Sequence, residues 1–205
     1  YYGYTKLMIE NTLRWFSNLK DLNYAALRYF NAAGYDTKKR VSGIEKSTKN
    51  LIPLIMETAV GIRQKINVFG NDYNTKDGTG IRDYIHVSDL AKAHIDAIEY
   101  IFKQEKNITV NLGAGIGSSV LDVIIKAKEV SNKNLEYKYK KRRGGDTDIL
   151  VAKTDLAKTL IGWNGKNSDL DTMMMGDPSM MGAMQGMYDM GMDPMMGGMD
   201  PMMMG

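Results

Sequence analysis

Apolar residues near the start of the chain fall at helical intervals. Leu7, Ile9, Leu13, Trp15, Phe16 and Leu19 predict a helix over residues 2–20. Tyr24 to Phe30 (YAALRYF) is a short apolar run and predicts a buried strand. Asp36 to Lys49 is polar and rich in lysine, which predicts a surface loop. Asn50 to Ile62 predicts a helix that admits Pro53 in its first turn, where backbone N–H groups lack an intrahelical partner. Lys65 to Phe69 (KINVF) predicts a strand, and Gly70 to Arg82, dense in Asn, Asp and Gly, predicts a loop.

Ser88 reads as a helix N-cap, followed at helical spacing by Leu90, Ala93, His94, Ala97, Ile98 and Ile101. Asn107 to Leu112 predicts a strand. Ser119 and Asp122 have the form of a capping box opening a helix over Val120–Val130. Leu135 to Tyr139 predicts a further strand and Thr154 to Leu160 a short helix. This alternation argues an α/β architecture.

The pattern stops at Thr172. Fifteen of 17 Met and three of four Pro lie in residues 173–205, where Asp-Pro-Met units recur at Asp193-Pro194-Met195 and Asp200-Pro201-Met202. With no Val, Ile or Leu, this segment has little from which to build a core, so it predicts a disordered low-complexity tail behind a body of residues 1–172. The tail holds four Asp and no Lys or Arg, which leaves the body with 27 basic against 20 acidic residues. That balance suits a small anionic ligand such as a diphosphate, and suits a solvated lysine surface equally well. A net charge of +3 gives no argument for nucleic acid.

The absence of Cys excludes disulfides and thiolate metal sites and accords with the cytoplasm. No run approaches the roughly 20 apolar residues of a membrane span. The chain opens on Tyr1, already inside a helical pattern, and the expectation is a cut end.

Tyr2 and Lys6 lie one helical turn apart on one face. A Lys ammonium beside a phenol favours phenolate, the form that takes a proton from a sugar hydroxyl; the same spacing is also frequent by chance. Arg28-Tyr29-Phe30-Asn31 ends a predicted strand, where open α/β sheets place ligand contacts. The long run Val68-Phe69-Gly70-Asn71-Asp72-Tyr73-Asn74-Thr75-Lys76-Asp77-Gly78-Thr79-Gly80-Ile81-Arg82-Asp83-Tyr84-Ile85-His86-Val87-Ser88-Asp89-Leu90 is far more specific. Together with Asn111-Leu112-Gly113-Ala114-Gly115, Arg142-Arg143-Gly144-Gly145-Asp146 and Gly162-Trp163, it resembles the UDP-glucose 4-epimerases of the extended short-chain dehydrogenase/reductase family. The segment Arg82–Leu90 is shared by many nucleotide-sugar members; Asn71 to Thr79 points to the epimerases. The resemblance spans residues 1 to about 171.

The resemblance implies the C-terminal part of an NAD(P)-binding Rossmann-type fold, with the N-terminal dinucleotide-binding portion missing. It implies an isomerase that uses NAD to interconvert UDP-glucose and UDP-galactose at hexose C4, homodimeric when complete. This chain by itself is expected to be inactive. Tyr2 would be the base acting on the C4 hydroxyl, and Lys6 would hold the nicotinamide ribose and tune Tyr2. Phe30 would meet the nicotinamide end. Asn31 would bind the nucleotide sugar, Asn50 and Leu51 the diphosphate or ribose, and Asn67, Val68 and Phe69 the uracil. Arg82 and Arg143 would clamp the diphosphate, as planar guanidinium groups do, and Asp146 would accept from the ribose. Leu150 stands where bacterial members commonly carry Tyr, which implies room for an N-acetylated sugar.

The chain departs from the family pattern elsewhere too. It has no glycine-rich dinucleotide turn, no Ser or Thr partner preceding Tyr2, and no acidic and Pro pattern in residues 42–49. Gly113-x-Gly115-x-Gly117 lacks the third glycine of the dinucleotide fingerprint and reads as a packing turn. His86 and His94 lack metal-ligand spacing and read as structural. A copper(I) role for the tail methionines is a weaker reading than plain low complexity. Two alternatives stand beside the epimerase: a non-catalytic nucleotide-sugar-binding fragment, and a nucleotide-sugar dehydratase or decarboxylase.

Overall fold

Helix α1 (Tyr2–Lys20) forms where the apolar spacing predicts it. The structure, a computed structural model, describes residues 1–36, 38, 40 and 48–174. Two compact units account for them, the first from 1–34, 81–118 and 149–173, the second from the described residues of 35–80, 119–148 and Met174 onward. All four strand pairings with a resolved register are parallel, as the α/β expectation requires.

In the first unit, β1 (Ala25–Tyr29) pairs with β5 (Ile108–Leu112). The prediction of a buried strand fails for β1. Only Ala26 is buried and Arg28 and Tyr29 are exposed, because β1 has a single strand neighbour. Helix α1 likewise buries none of its residues. Its half-buried positions are Glu10, Leu13 and Ser17, where Glu10 pairs with Arg28 and Ser17 Oγ accepts from Asn107 Nδ2. Leu7, Trp15, Phe16 and Leu19 remain exposed.

Residues 81–86 form strand β4 (Ile81–His86), although the sequence pattern marks a loop up to Arg82 and no strand after it. Four of its six residues are buried in succession, so the alternation that betrays a one-sided strand is absent. Polar Asp83 and His86 mask it further. Strands β2 (Asn31–Ala33) and β8 (Ile149–Leu150) pair with β4, and β6 (Gly117–Ser119) completes that sheet. These three were too short to be legible in the sequence.

Helix α3 (Val87–Gln104) starts one residue before the expected cap. The N-cap is His86, whose Nδ1 accepts from Ser88 N, and Ser88 is already inside the helix. Its buried face is Ala93 and Ala97, flanked by Leu90 and Tyr100, while His94 and Ile98 are exposed, contrary to the predicted stripe. The unit's core joins Ile85, Ile108, Val110 and Leu112 to Ala157, Ile161 and Trp163 around helix α5 (Asp155–Ile161), each large apolar side chain stabilising by about 2 kcal/mol.

In the second unit, β3 (Ile66–Phe69) pairs with β7 (Tyr137–Lys140), two residues later than the strand predicted from Leu135. Helix α2 (Leu51–Ala59) packs on α4 (Val120–Ser131). It stops short of the predicted Ile62 because Gly61 takes a φ of 86°, which a helix cannot contain. The capping box at Ser119 and Asp122 forms as read. Helix α6 (Leu170–Met174) ends on buried Met173 and Met174, and the rest of the predicted tail, residues 175–205, lies outside the described residues. So do residues 37, 39 and 41–47 of the expected surface loop.

Asp83 is fully buried, and its carboxylate accepts from the N–H groups of Ala114 (2.7 Å), Gly115 (3.0 Å) and Ala152 (3.0 Å). A Cβ on Gly113 would stand 2.5 Å from Asp83 Oδ2 and 2.6 Å from Ala152 Cβ. Gly113→Ala is therefore expected to lower stability by about 1–3 kcal/mol in chemical denaturation. Gly144→Ala, where a Cβ meets nothing within 4 Å, is the control and should leave the midpoint nearly unchanged.

Candidate functional site

The residues expected to act divide between the units. Tyr2, Lys6, Phe30, Asn31, Arg82 and Leu150 belong to the first; Asn50, Leu51, Asn67, Val68, Phe69, Arg143 and Asp146 belong to the second.

Tyr2 opens α1, and Lys6 Nζ lies 5.3 Å from its ring centroid, so the one-face expectation holds. Phe30 follows β1, its N–H donating to Leu112 O. Asn31 opens β2 at the strand end, where its Nδ2 donates to Asp83 O at 2.8 Å. Its amide is thus oriented by the strand that carries Arg82. Arg82 stands opposite Leu150 in the β4–β8 register, and its Nη1 donates to Ile81 O at 2.9 Å. The strand pairing therefore brings together a cation and the exposed apolar side chain of Leu150. Tyr84, two residues on, is no acid–base candidate: burial pushes its phenol up to about 12, against the opposing charge of Arg82.

In the second unit, Asn50 is the N-cap of α2, extended in backbone, with no side-chain bond to the helix, so its amide is available to a ligand. Leu51 begins the helix. Along β3, Val68 is buried while Asn67 is exposed, so Val68 can offer a ligand only backbone groups. The Arg143 guanidinium lies 4.0 Å from the Phe69 ring centroid. Asp146 Oδ2 accepts from Tyr73 Oη at 3.3 Å. Phe69, Arg143 and Asp146 are gathered around one loop, residues 141–148, whereas Asn50 and Leu51 stand at the start of α2.

The Gly113–Gly117 turn is settled by its geometry. The amides of Ala114 and Gly115, which a phosphate would need, already hold Asp83. It is a packing turn, as read. His86 is buried at the start of α3 and its N–H donates to Ser168 Oγ, a structural placement. Among the described residues no cluster of three or more His, Asp or Glu could hold a metal ion. No helix among them is long and apolar enough to cross a membrane.

Several roles that shape the site were missed from the sequence: those of Asp83, Tyr73 and Arg142, and the bond of Ser119 to Asp77. Asp83 lies inside β4, which the sequence pattern does not mark as a strand, and its three donors are 31 to 69 positions away. The Asp77–Ser119 and Tyr73–Asp146 bonds span 42 and 73 positions and leave no local signal, and the ring under Arg142 is likewise distant in sequence although its partners Asp146 and Asp148 are close.

A family model described as the NAD dependent epimerase/dehydratase family matches residues 1–113. The chain belongs to that family. It is 42% identical over 173 residues to a UDP-glucose 4-epimerase of Halalkalibacterium halodurans, a match covering 84% of this chain and 52% of the relative. A UDP-glucose 4-epimerase from Stenotrophomonas maltophila, solved with NAD and formylated UDP-arabinopyranose, superposes with a TM-score of 0.85 at 37% identity, covering 90% of this chain and 55% of that one. The UDP-Glc/GlcNAc 4-epimerase of Campylobacter jejuni does so with a TM-score of 0.71 at 36% identity, covering 89% and 55%. The chain spans about half the length of the relatives it matches. The parallel α/β fold is that of the Rossmann-type epimerases.

The loop preceding Arg82 is held by Asp77, which accepts from Thr79 N and Thr79 Oγ1, both at 2.8 Å, and from Ser119 Oγ. Burial pushes the Asp77 carboxyl up, and the bonds from Ser119 and Thr79 outweigh it, leaving the group below its ordinary range. A carboxyl depressed in the folded state contributes stability that is complete above its unfolded pKa of about 3.9 and is lost as pH falls through the folded value. Thermal melts between pH 2.5 and 6 are expected to show wild type losing stability below about pH 4, with a shallower loss in Asp77→Asn.

Proposed function

We propose that this chain carries the substrate-recognition groups of a UDP-hexose 4-epimerase, which in its complete form interconverts UDP-glucose and UDP-galactose. The observation that carries this reading is the 42% identity to a UDP-glucose 4-epimerase over 84% of the chain. Arg82 and Arg143 each bind the diphosphate. Asp146 accepts from the ribose hydroxyls, and Asn67, Val68 and Phe69 meet the uracil. Asn31 holds the sugar, with Asn50 and Leu51 on the diphosphate or ribose. Tyr2 removes the proton from the C4 hydroxyl, and Lys6 holds it to that task.

NAD supplies the hydride chemistry in this reaction. The residues of this chain fit only its nicotinamide end, through Tyr2, Lys6 and Phe30. The glycine-rich turn Gly113–Gly117 has its amides committed to Asp83, so it cannot cradle a pyrophosphate. The chain is therefore expected to bind UDP and not to retain NAD at one per chain. Calorimetric titration with UDP and assay of the purified chain for NAD test both statements. Loss of UDP binding on Arg82→Ala and on Arg143→Ala, by roughly tenfold each, is expected for charge-assisted contacts. A wild-type chain indifferent to UDP would defeat the reading.

Leu150 supports acceptance of an N-acetylated hexose, since its side chain is smaller than Tyr and it stands beside Arg82 in the strand register. The Campylobacter jejuni neighbour, named for both UDP-Glc and UDP-GlcNAc, lends this support. The complete enzyme is expected to turn over UDP-N-acetylglucosamine and to lose that activity selectively in Leu150→Tyr; no turnover by the wild type removes the proposal. A homodimer of the complete protein in the cytoplasm belongs to the same reading. The exposed apolar side chains of α1 support the dimer, and light scattering on the complete protein tests it.

A further inference from the structure

Two consecutive arginines leave the end of β7, and each lies on its own aromatic ring. Arg143 covers Phe69, with Cζ 4.0 Å from the ring centroid, and Arg142 covers Tyr73 at 3.9 Å. Their surroundings differ. Arg143 is exposed, whereas Arg142 is drawn inward. Arg142 Nη2 donates to Asp146 O at 2.8 Å and to Asp148 Oδ1 at 2.6 Å. Asp148 Oδ2 in turn accepts from Asn74 N at 3.3 Å, and the Tyr73 hydroxyl donates to Asp146 Oδ2 at 3.3 Å.

The platform under Arg142 is rigid. Tyr73 is only 5% exposed, and its N–H and carbonyl are tied to the Asp72–Thr79 loop through Gly78 O and Thr75 N. Gly70 is what lets the ring lie there: at its φ of 88°, a Cβ would stand 2.4 Å from Tyr73 Cε2 and 3.2 Å from Arg142 Cβ. Gly70 N also donates to Lys140 O, which carries the β3–β7 ladder up to the residue pair before Arg142.

We propose that Arg142 is a positioning residue: it clamps loop 141–148 onto Tyr73 and so fixes Arg143 and Asp146 in the arrangement that receives the diphosphate and ribose of a uridine nucleotide. The proposal rests on the substrate reading above. A half-exposed ion pair with Asp148 would by itself contribute little. Here one planar guanidinium simultaneously stacks on a buried ring, bonds a backbone carbonyl and bonds a carboxylate, which fixes both its plane and the loop's path. Lysine reproduces the charge and none of that geometry.

The test measures UDP affinity of the chain by calorimetry for wild type, Arg142→Lys, Arg142→Ala, Arg143→Ala and the Arg142→Ala/Arg143→Ala pair. Amide hydrogen exchange without ligand and melting temperature are recorded for each. Arg142→Lys and Arg142→Ala are both expected to weaken UDP binding by about tenfold. Exchange should speed up in residues 143–148 and at Asn74, with the melting temperature close to wild type. The double variant should bind less weakly than the product of the two single losses, because Arg142 acts largely through Arg143. Full rescue of affinity by Arg142→Lys, multiplicative losses in the double variant, or unchanged exchange in residues 143–148 would each overturn the clamp. If wild type fails to bind UDP, the substrate reading falls; the exchange data then decide whether Arg142 holds the loop.

Discussion

A carboxylate sealed from water without partners is among the costliest things a fold can contain. Asp83 is sealed from water and escapes that cost because three backbone N–H donors converge on it from two separate stretches of chain. That convergence dictates much of the first unit. It brings the Gly113–Gly115 turn and Ala152 against β4, and it leaves no room for a side chain at Gly113. Arg82 precedes Asp83 on the same strand, and Leu150 precedes Ala152 by two residues. The register that sets Arg82 opposite Leu150 is therefore locked from both sides by one carboxylate. The same interaction denies the turn any role as a phosphate cradle, since the donors it would offer are already spent.

The second unit solves a similar problem with half-exposed groups. Two of its candidate residues, Arg143 and Asp146, sit on a loop, where backbone order is hardest to maintain. Asp77 organises the approach to β4 through Thr79 and Ser119, and Ser119 at the same time caps α4. The 141–148 loop is fastened to Tyr73 by Arg142. In each case a polar side chain is used to hold backbone, and the residue next to it is left facing solvent.

What could be read from the sequence follows from how local the deciding interaction is. The Ser119 capping box, α1, α4, β5 and the Tyr2–Lys6 pairing all depend on residues within one or two turns, and all are present. Strand β4 was illegible because burial on both faces erases its alternation and because Asp83 and His86 look like loop residues until their partners are known. The Ser88 cap failed for a related reason: His86 accepts from the Ser88 amide through a ring nitrogen, a role the sequence does not distinguish from core packing. For the candidate site, the motif supplied the candidate residues by resemblance. Asp83 and Tyr73 were hidden because the partners of their side chains lie far along the chain, and Arg142 because the ring it stacks on does.

The exposure of α1 then acquires a meaning. Tyr2 and Lys6 stand on a helix that buries no residue and touches its unit along a narrow stripe, through Glu10 and Ser17. Arg82, Leu150, Arg143 and Asp146 stand on elements whose hydrogen bonds are completed inside their own units. Order is therefore unevenly distributed between the two sets of candidate residues. Those assigned to the nucleotide sugar are braced by buried or stacked partners within this chain, whereas those assigned to proton and hydride chemistry are held by little more than the helix itself. On the proposed reading, the contacts to the nucleotide sugar are the ones for which the described residues carry their own bracing.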